Sequence, residues 1–165
     1  PAHREKTLER LRRWRTMCPD LAIRSTFVVG FPGESEEDFS CLLDWIAEAR
    51  LARAGCFRYE AVDGAAANAL PGAVPEAVKE ERWHRFMAAQ QKVSRAVLAE
   101  RVGHTIQVLI DRTTEDGAVG RSSWDAPEID GQVHLPGTSN VQAGDLIAAR
   151  VARAGDYDLW AVPAA

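Results

Sequence analysis

The run FVVGFPGE, residues 27 to 34, carries the strongest chemical signal in the sequence. Gly30 and Gly33 flank Pro32 directly after a stretch rich in β-branched and aromatic residues. The run therefore reads as the C-terminal end of a parallel strand, where α/β folds place their ligands. Glycines there let a ligand approach the backbone, and the apolar Val28 and Phe31 could pack on a flat ring such as adenine. A tight strand-to-helix turn with no ligand fits the same residues. The run is not a phosphate cradle, because it lacks the Lys-Ser/Thr ending and the G-x-G-x-x-G spacing.

A second candidate is GRSSWDAPEIDG, residues 120 to 131, where Arg121 is the one base beside Asp125, Glu128 and Asp130. Three carboxylates so close together would repel phosphates and attract a cationic partner. The alternative is a solvated acidic loop. Other side chains offer less. His3, His84, His104 and His134 are scattered over different elements, and no serine sits in a G-x-S-x-G elbow. Glu60 and Asp63 follow a strand, where solvated loop carboxylates are the simpler reading. Cys18, Cys41 and Cys56 show no C-x-x-C spacing and are odd in number, which suggests neither a disulfide framework nor a zinc site. A reducing, cytoplasmic setting is expected. Cys41 and Cys56 are expected on buried faces, as small apolar thiols.

The elements that must position these residues can be read from periodicity. Leu8, Leu11, Trp14 and Met17 predict an amphipathic helix over about residues 3 to 17, ended by Pro19. Residues 22 to 31 predict a central parallel strand covered on both faces. Ser35 and Asp38 predict a capping box, opening a helix to about Arg50 whose buried stripe is Phe39, Leu42, Leu43, Ile46 and Ala49. Residues 54 to 62 predict a second strand, completing a βαβ crossover. A long helix follows from about Pro75 to Arg101, with the stripe Val78, Trp83, Phe86, Met87, Val93, Val97 and Leu98, and Gly103 stops it.

Beyond Gly103 the period changes. Ile106, Val108 and Ile110 alternate inward, an Asp116-Gly117 turn follows, and several more short strands with glycine turns complete the chain. This pattern predicts a five-stranded antiparallel OB-like barrel. The fold class expected is thus α/β followed by all-β, with domains at residues 1–98 and 99–165.

With 165 residues, 46% of them hydrophobic and 27% charged, the chain can bury a core, which excludes disorder and fibre. No apolar run is long enough to span a bilayer, and the charged start, PAHREKTLERLRR, is expected to be a charged helix rather than a signal peptide. The net charge is −4. Residues 99–165 hold 10 acidic and 5 basic side chains, against 14 and 15 in residues 1–98. The acidity therefore belongs to the last third, which argues against a generic nucleic-acid binder.

The order IRSTFVVGFPGESEEDF, GCFRYEAVDGAAANALP, KEERWHRFMAAQQ, GRSSWDAPEIDG and GDLIAARV closely resembles the C-terminal portion of the RimO-type radical S-adenosylmethionine methylthiotransferases, over about residues 5 to 162. That family modifies an aspartate of small-subunit ribosomal protein S-twelve. The resemblance implies that residues 1–98 are the C-terminal part of a partial (β/α) radical SAM barrel and residues 99–165 a TRAM domain. It implies that Val28, Gly30, Phe31, Pro32, Gly33 and Glu34 lie beside the adenine of S-adenosylmethionine. The implied chemistry is reductive cleavage to a 5'-deoxyadenosyl radical, hydrogen abstraction from the aspartate β-carbon, and attachment of a methylthio group.

The family also uses two four-iron four-sulfur clusters. One is held by C-x-x-x-C-x-x-C and the other by three cysteines of an N-terminal domain. Neither set is present, so the chain resembles a fragment that holds no cluster and is expected to be inactive alone. The tRNA methylthiotransferases are the competing family, and a non-catalytic TRAM binding module is a different class of answer. The wording at Arg24 to Thr26, the AVDGAAANAL loop and the DAPEID segment favour the ribosomal-protein enzyme. The charge argument agrees: a −5 module suits a basic ribosomal protein better than tRNA. Arg121, Asp125, Glu128 and Asp130 are the expected docking residues, on a soluble monomer that contacts neither membrane nor, directly, nucleic acid.

Overall fold

A computed structural model of the protein describes residues 2–164, with side chains from residue 5 onward. His3 therefore lies outside the described side chains. The chain divides into two compact units, residues 1–93 and 94–165.

The first unit contains α1 (Ala2–Met17), β1 (Arg24–Val29), α2 (Glu36–Ala49), β2 (Arg53–Arg58), a 3-10 turn at Ala66–Ala69 and most of α3 (Glu76–Ala99). Strands β1 and β2 pair in parallel from Arg24↔Arg53 to Val29↔Arg58. The ladder extends one step further, where the Tyr59 N–H donates to the Val29 carbonyl at 2.8 Å.

The expected burial of β1 on both faces is overturned. Phe27 and Val29 on β1, with Ala54 and Cys56 on β2, pack against Leu8 and Leu11 of α1, Phe39 and Ile46 of α2, and Phe86 of α3. The opposite face, with Thr26, Val28, Gly55 and Phe57, is exposed. Helices cover one side of the sheet, so a nearly continuous apolar run alternates in burial. Among the described residues β1 has the single neighbour β2, so it is not a central strand here.

Each fully buried side chain such as Phe39, Ile46 or Phe86 contributes roughly 1.5–3 kcal/mol by leaving water. Gln90, buried on α3, donates its amide N–H groups to the carbonyls of Leu51 (3.2 Å) and Ala52 (3.0 Å). It thereby satisfies carbonyls of the short link between α2 and β2. The apolar stripe predicted for α1 holds at Leu8 and Leu11 but not beyond, since Trp14 and Met17 are exposed.

The second unit is a closed barrel of β3 (Thr105–Thr114), β4 (Gly117–Arg121), β5 (Val133–Pro136), β6 (Leu146–Ala154) and β7 (Leu159–Pro163), in the order β3-β4-β5-β7-β6. Its core is Val108, Ile110, Ala118, Val133, Leu135, Ala149, Val151, Leu159 and Ala161, with Leu98 of α3. The barrel is mixed, not antiparallel throughout: β5 and β7 run parallel, through Val133↔Leu159 and His134↔Trp160. The reason is parity. Five strands alternating in direction around a ring cannot close without one seam between strands pointing the same way. The barrel is also narrow. A side chain at Gly120 would place its Cβ 2.3 Å from the Leu109 carbonyl oxygen, so β4 needs a residue without one.

Candidate functional site

The turn that leaves β1 is built from its own backbone. Gly30 and Gly33 have φ of 76° and 86°, a region that only glycine enters without strain. The Gly30 N–H donates to Glu34 Oε1 at 3.0 Å. The Glu34 N–H donates to the Phe31 carbonyl at 2.9 Å, and the Gly33 N–H to the Gly72 carbonyl at 2.8 Å. Immediately beyond, the predicted capping box is present: the Asp38 N–H donates to Ser35 Oγ, and the Ser35 N–H to Asp38 Oδ2.

This framework leaves Val28 and Phe31 at the surface, 48% and 42% exposed. Phe57, the register partner of Val28, is 66% exposed. The Phe31 ring meets that of Tyr59 edge-on with centroids 5.3 Å apart. The Tyr59 hydroxyl donates to Asn68 Oδ1 at 2.8 Å. The C-terminal ends of β1 and β2 thus share an exposed apolar surface bordered by glycine backbone. Such a surface can take a flat ring and leave polar groups within reach of its edge.

Two residues that brace this turn and the adjoining end of β2 are not marked by the sequence pattern. Arg82 Nη1 lies 2.6 Å from Glu34 Oε1 and also donates to the Glu34 carbonyl at 3.1 Å. Lys79 donates to the Tyr59 carbonyl at 3.1 Å and pairs with Glu76 at 2.6 Å. Lys79, Arg82, Phe86 and Gln90 are all buried, and their spacing of three and four places them on one helical face. That spacing was the available signal, hidden because three of the four are polar.

In the barrel the four predicted docking residues have local partners or different exposures. Arg121 pairs with Asp111 across β3 and β4. Asp125 Oδ2 accepts from the Ser122 N–H (3.1 Å) and hydroxyl (2.7 Å), and Asp130 Oδ2 accepts from the Ala126 N–H (2.8 Å). Both carboxylates therefore shape the loop from inside it. Glu128 sits at φ 60° on the exposed turn, beside Ile129 at 73% exposure. The Arg101 guanidinium covers the Trp124 ring, 3.5 Å from its centroid.

The outer wall carries a further cluster that periodicity could not reveal, because its members lie on three strands. Trp160 of β7 stacks with His134 of β5, centroids 5.0 Å apart, and with the guanidinium of Arg153 of β6, 3.3 Å from the ring. His134 Nε2 is 3.7 Å from Asp158 Oδ2. His84 and His104 are exposed.

Cys56 is buried as expected, and desolvation is the main reason its thiol pKa is pushed up to about 12, with the Glu34 charge adding to it. Cys18 and Cys41 are exposed. The expected burial of Cys41 is incorrect, because it falls between the buried positions Phe39 and Ile46 on the solvent side of α2. Among the described residues no three His, Cys, Asp or Glu side chains converge to hold a metal. These residues therefore do not fit an iron-sulfur cluster. Among the described residues no helix is long and apolar enough to cross a membrane.

Residues 102–163 match the TRAM domain family. The chain is 60% identical over 160 residues to a protein of Rhodospirillum rubrum named ribosomal protein uS12 methylthiotransferase RimO. It is 58% identical to the protein of that name from Bordetella pertussis and 57% to that from Pectobacterium atrosepticum. Each alignment covers 97% of this chain and 36% of the relative's length. Among solved structures, Mycoplasma genitalium RNase R aligns at 15% identity and a TM-score of 0.31, over 51% of this chain and 17% of its own, too low to carry an argument.

Proposed function

We propose that this chain is the C-terminal part of a ribosomal protein uS12 methylthiotransferase. In this reading it supplies one wall of the S-adenosylmethionine site and a barrel that docks the basic substrate protein. The observation that carries the reading is 60% identity across 97% of the chain to a protein of that name. The turn after β1 supports the cofactor assignment. Its exposed Val28 and Phe31 offer apolar contact, and the exposed Gly33 leaves its backbone open, whereas Gly30 is buried against the Lys79 stem and serves the turn itself. Pro32 and Glu34 complete the wall, Glu34 by holding the Gly30 N–H and so fixing the turn.

When bound, S-adenosylmethionine supplies the radical chemistry; the residues here orient its adenine end and exclude water from it. In the barrel, Asp125 and Asp130 hold the loop that presents Glu128, and Arg121 is anchored to Asp111. The exposed carboxylate and the overall acidity of this unit suit a cationic protein surface, with complementary charge setting orientation and on-rate. The protein works in the cytoplasm as a monomer, and the two iron-sulfur clusters of the intact enzyme are held by residues outside this chain.

A full-length protein carrying this chain, incubated anaerobically with S-adenosylmethionine, sulfide, a reductant and uS12, is expected to add a methylthio group to one uS12 aspartate. Tandem mass spectrometry reads the product. Methylthiolation of tRNA in place of uS12, or of neither, overturns the reading.

A further inference from the structure

Two cations one turn apart on α3 reach the ends of both strands of the first unit. The Arg82 side chain, 6% exposed, meets the Glu34 carboxylate, 13% exposed, at 2.6 Å. That carboxylate also accepts the Gly30 N–H, so the guanidinium holds the turn after β1 through its side chain and, at the Glu34 carbonyl, through its backbone. Arg82 Nη2 lies 3.5 Å from Glu36, the first residue of α2. Lys79 holds the other strand: its ammonium donates to the Tyr59 carbonyl and lies 5.5 Å from the Tyr59 ring centroid. Its stem fills the space behind Gly30, where a Cβ would stand 2.4 Å from Lys79 Cγ.

Burying charges is costly, and apolar residues of similar volume often fill such positions with equal or greater stability. Stability alone is therefore a poor reason for Lys and Arg at 79 and 82. Directional contacts supply what apolar packing cannot. Each cation fixes a named carbonyl just beyond the ladder that the Tyr59 N–H closes on Val29, Arg82 that of Glu34 and Lys79 that of Tyr59.

We propose that Arg82 and Lys79 are positioning residues that hold the turn after β1 and the backbone at Tyr59 in the conformation required by S-adenosylmethionine. This rests on the cofactor reading above. Neither residue is placed against the ligand; both act through Glu34, Gly30 and Tyr59. Arg82 acts on the turn that carries Phe31, and Lys79 on Tyr59, whose ring meets that of Phe31 edge-on.

The test uses the full-length, cluster-loaded enzyme and two variants that keep the buried volume without leaving a carboxylate unpaired in the core. One is the double variant Glu34→Gln, Arg82→Met, read against Glu34→Gln with Arg82 intact, and the other is Lys79→Met, read against wild type. Equilibrium dialysis with S-adenosylmethionine is expected to show about tenfold weaker binding in each than in its reference, equivalent to about 1.4 kcal/mol. The cluster absorbance and the affinity for uS12 are expected to stay at the wild-type values, which a general structural defect would not allow. If either variant folds and binds S-adenosylmethionine as tightly as its reference, the positioning role is overturned for that residue. If wild-type enzyme binds no S-adenosylmethionine, the cofactor reading fails and the inference fails with it.

Discussion

Ser35 and Asp38 satisfy each other's backbone at the start of α2: the Asp38 N–H donates to Ser35 Oγ at 3.1 Å and the Ser35 N–H donates to Asp38 Oδ2 at 3.0 Å. The box begins one residue after Glu34 and so anchors the far side of the glycine turn. Ser35→Ala removes one of these bonds and is expected to destabilise the chain by about 1 kcal/mol. Urea unfolding of the full chain measures it, and a loss indistinguishable from zero would show that the cap does not stabilise the turn.

Acid should weaken the same region. The Arg85 hydrogen bond lowers the pKa of Glu36, the Ser35 N–H that of Asp38 and the Lys79 hydrogen bond that of Glu76. A carboxylate whose folded pKa is depressed stabilises the fold above its ordinary value, and this is lost as the pH falls through the depressed value. The melting temperature is therefore expected to drop as the pH goes below the ordinary glutamate value of 4.5. The variant Glu36→Gln, Asp38→Asn, Glu76→Gln should respond less steeply in that window. Equal slopes for the variant and wild type would contradict the assignment.

The three thiols should separate by accessibility. Cys18 and Cys41 are exposed, whereas Cys56 is buried with its pKa raised to about 12, and only the thiolate reacts readily. Iodoacetamide at neutral pH is expected to label Cys18 and Cys41 and to spare Cys56 until denaturant is added. Peptide mass spectrometry assigns the sites, and rapid native labelling of Cys56 would mean that the β2 face opens.

The docking proposal separates loop-shaping carboxylates from the presenting one. Glu128→Gln is expected to weaken uS12 binding by roughly 0.5 kcal/mol at low salt, with the difference shrinking as salt is added. Asp125→Asn and Asp130→Asn keep an acceptor oxygen toward Ser122 and Ala126 and should each have a smaller effect. Calorimetric titration of the full-length protein with uS12 tests this. If all three changes together leave low-salt affinity untouched, the loop is not the contact.

Local rules were readable wherever the residues that interact are near in sequence. The Ser35–Asp38 box and the glycine turn at Gly30 depend on neighbours, and hydrophobic periodicity locates the strands and α-helices of the described residues within a few positions. What escaped depends on pairing across elements. Lys79 and Arg82 occupy buried positions that hydropathy assigns to solvent, because their partners Tyr59 and Glu34 lie on other segments. Arg121 looked available until β3 placed Asp111 beside it. The His134–Trp160–Arg153 stack exists because β7 lies between β5 and β6, an order that the chain does not spell out. The parallel seam, by contrast, could have been deduced, since a closed ring of five strands requires one.

That seam also bears on how the barrel forms. Strands β3, β4 and β5 make one antiparallel meander and β6 and β7 one hairpin, each joined by local pairing. The two pieces meet at β3–β6 and at β5–β7, and both junctions link residues distant in sequence. Neither piece encloses Val133, Leu159 and Ala149 by itself, so the loop-closure entropy of both junctions must be met before the core is buried. The barrel therefore assembles in a single cooperative event, and its slow-exchanging amides on both sides of the seam should share one opening free energy.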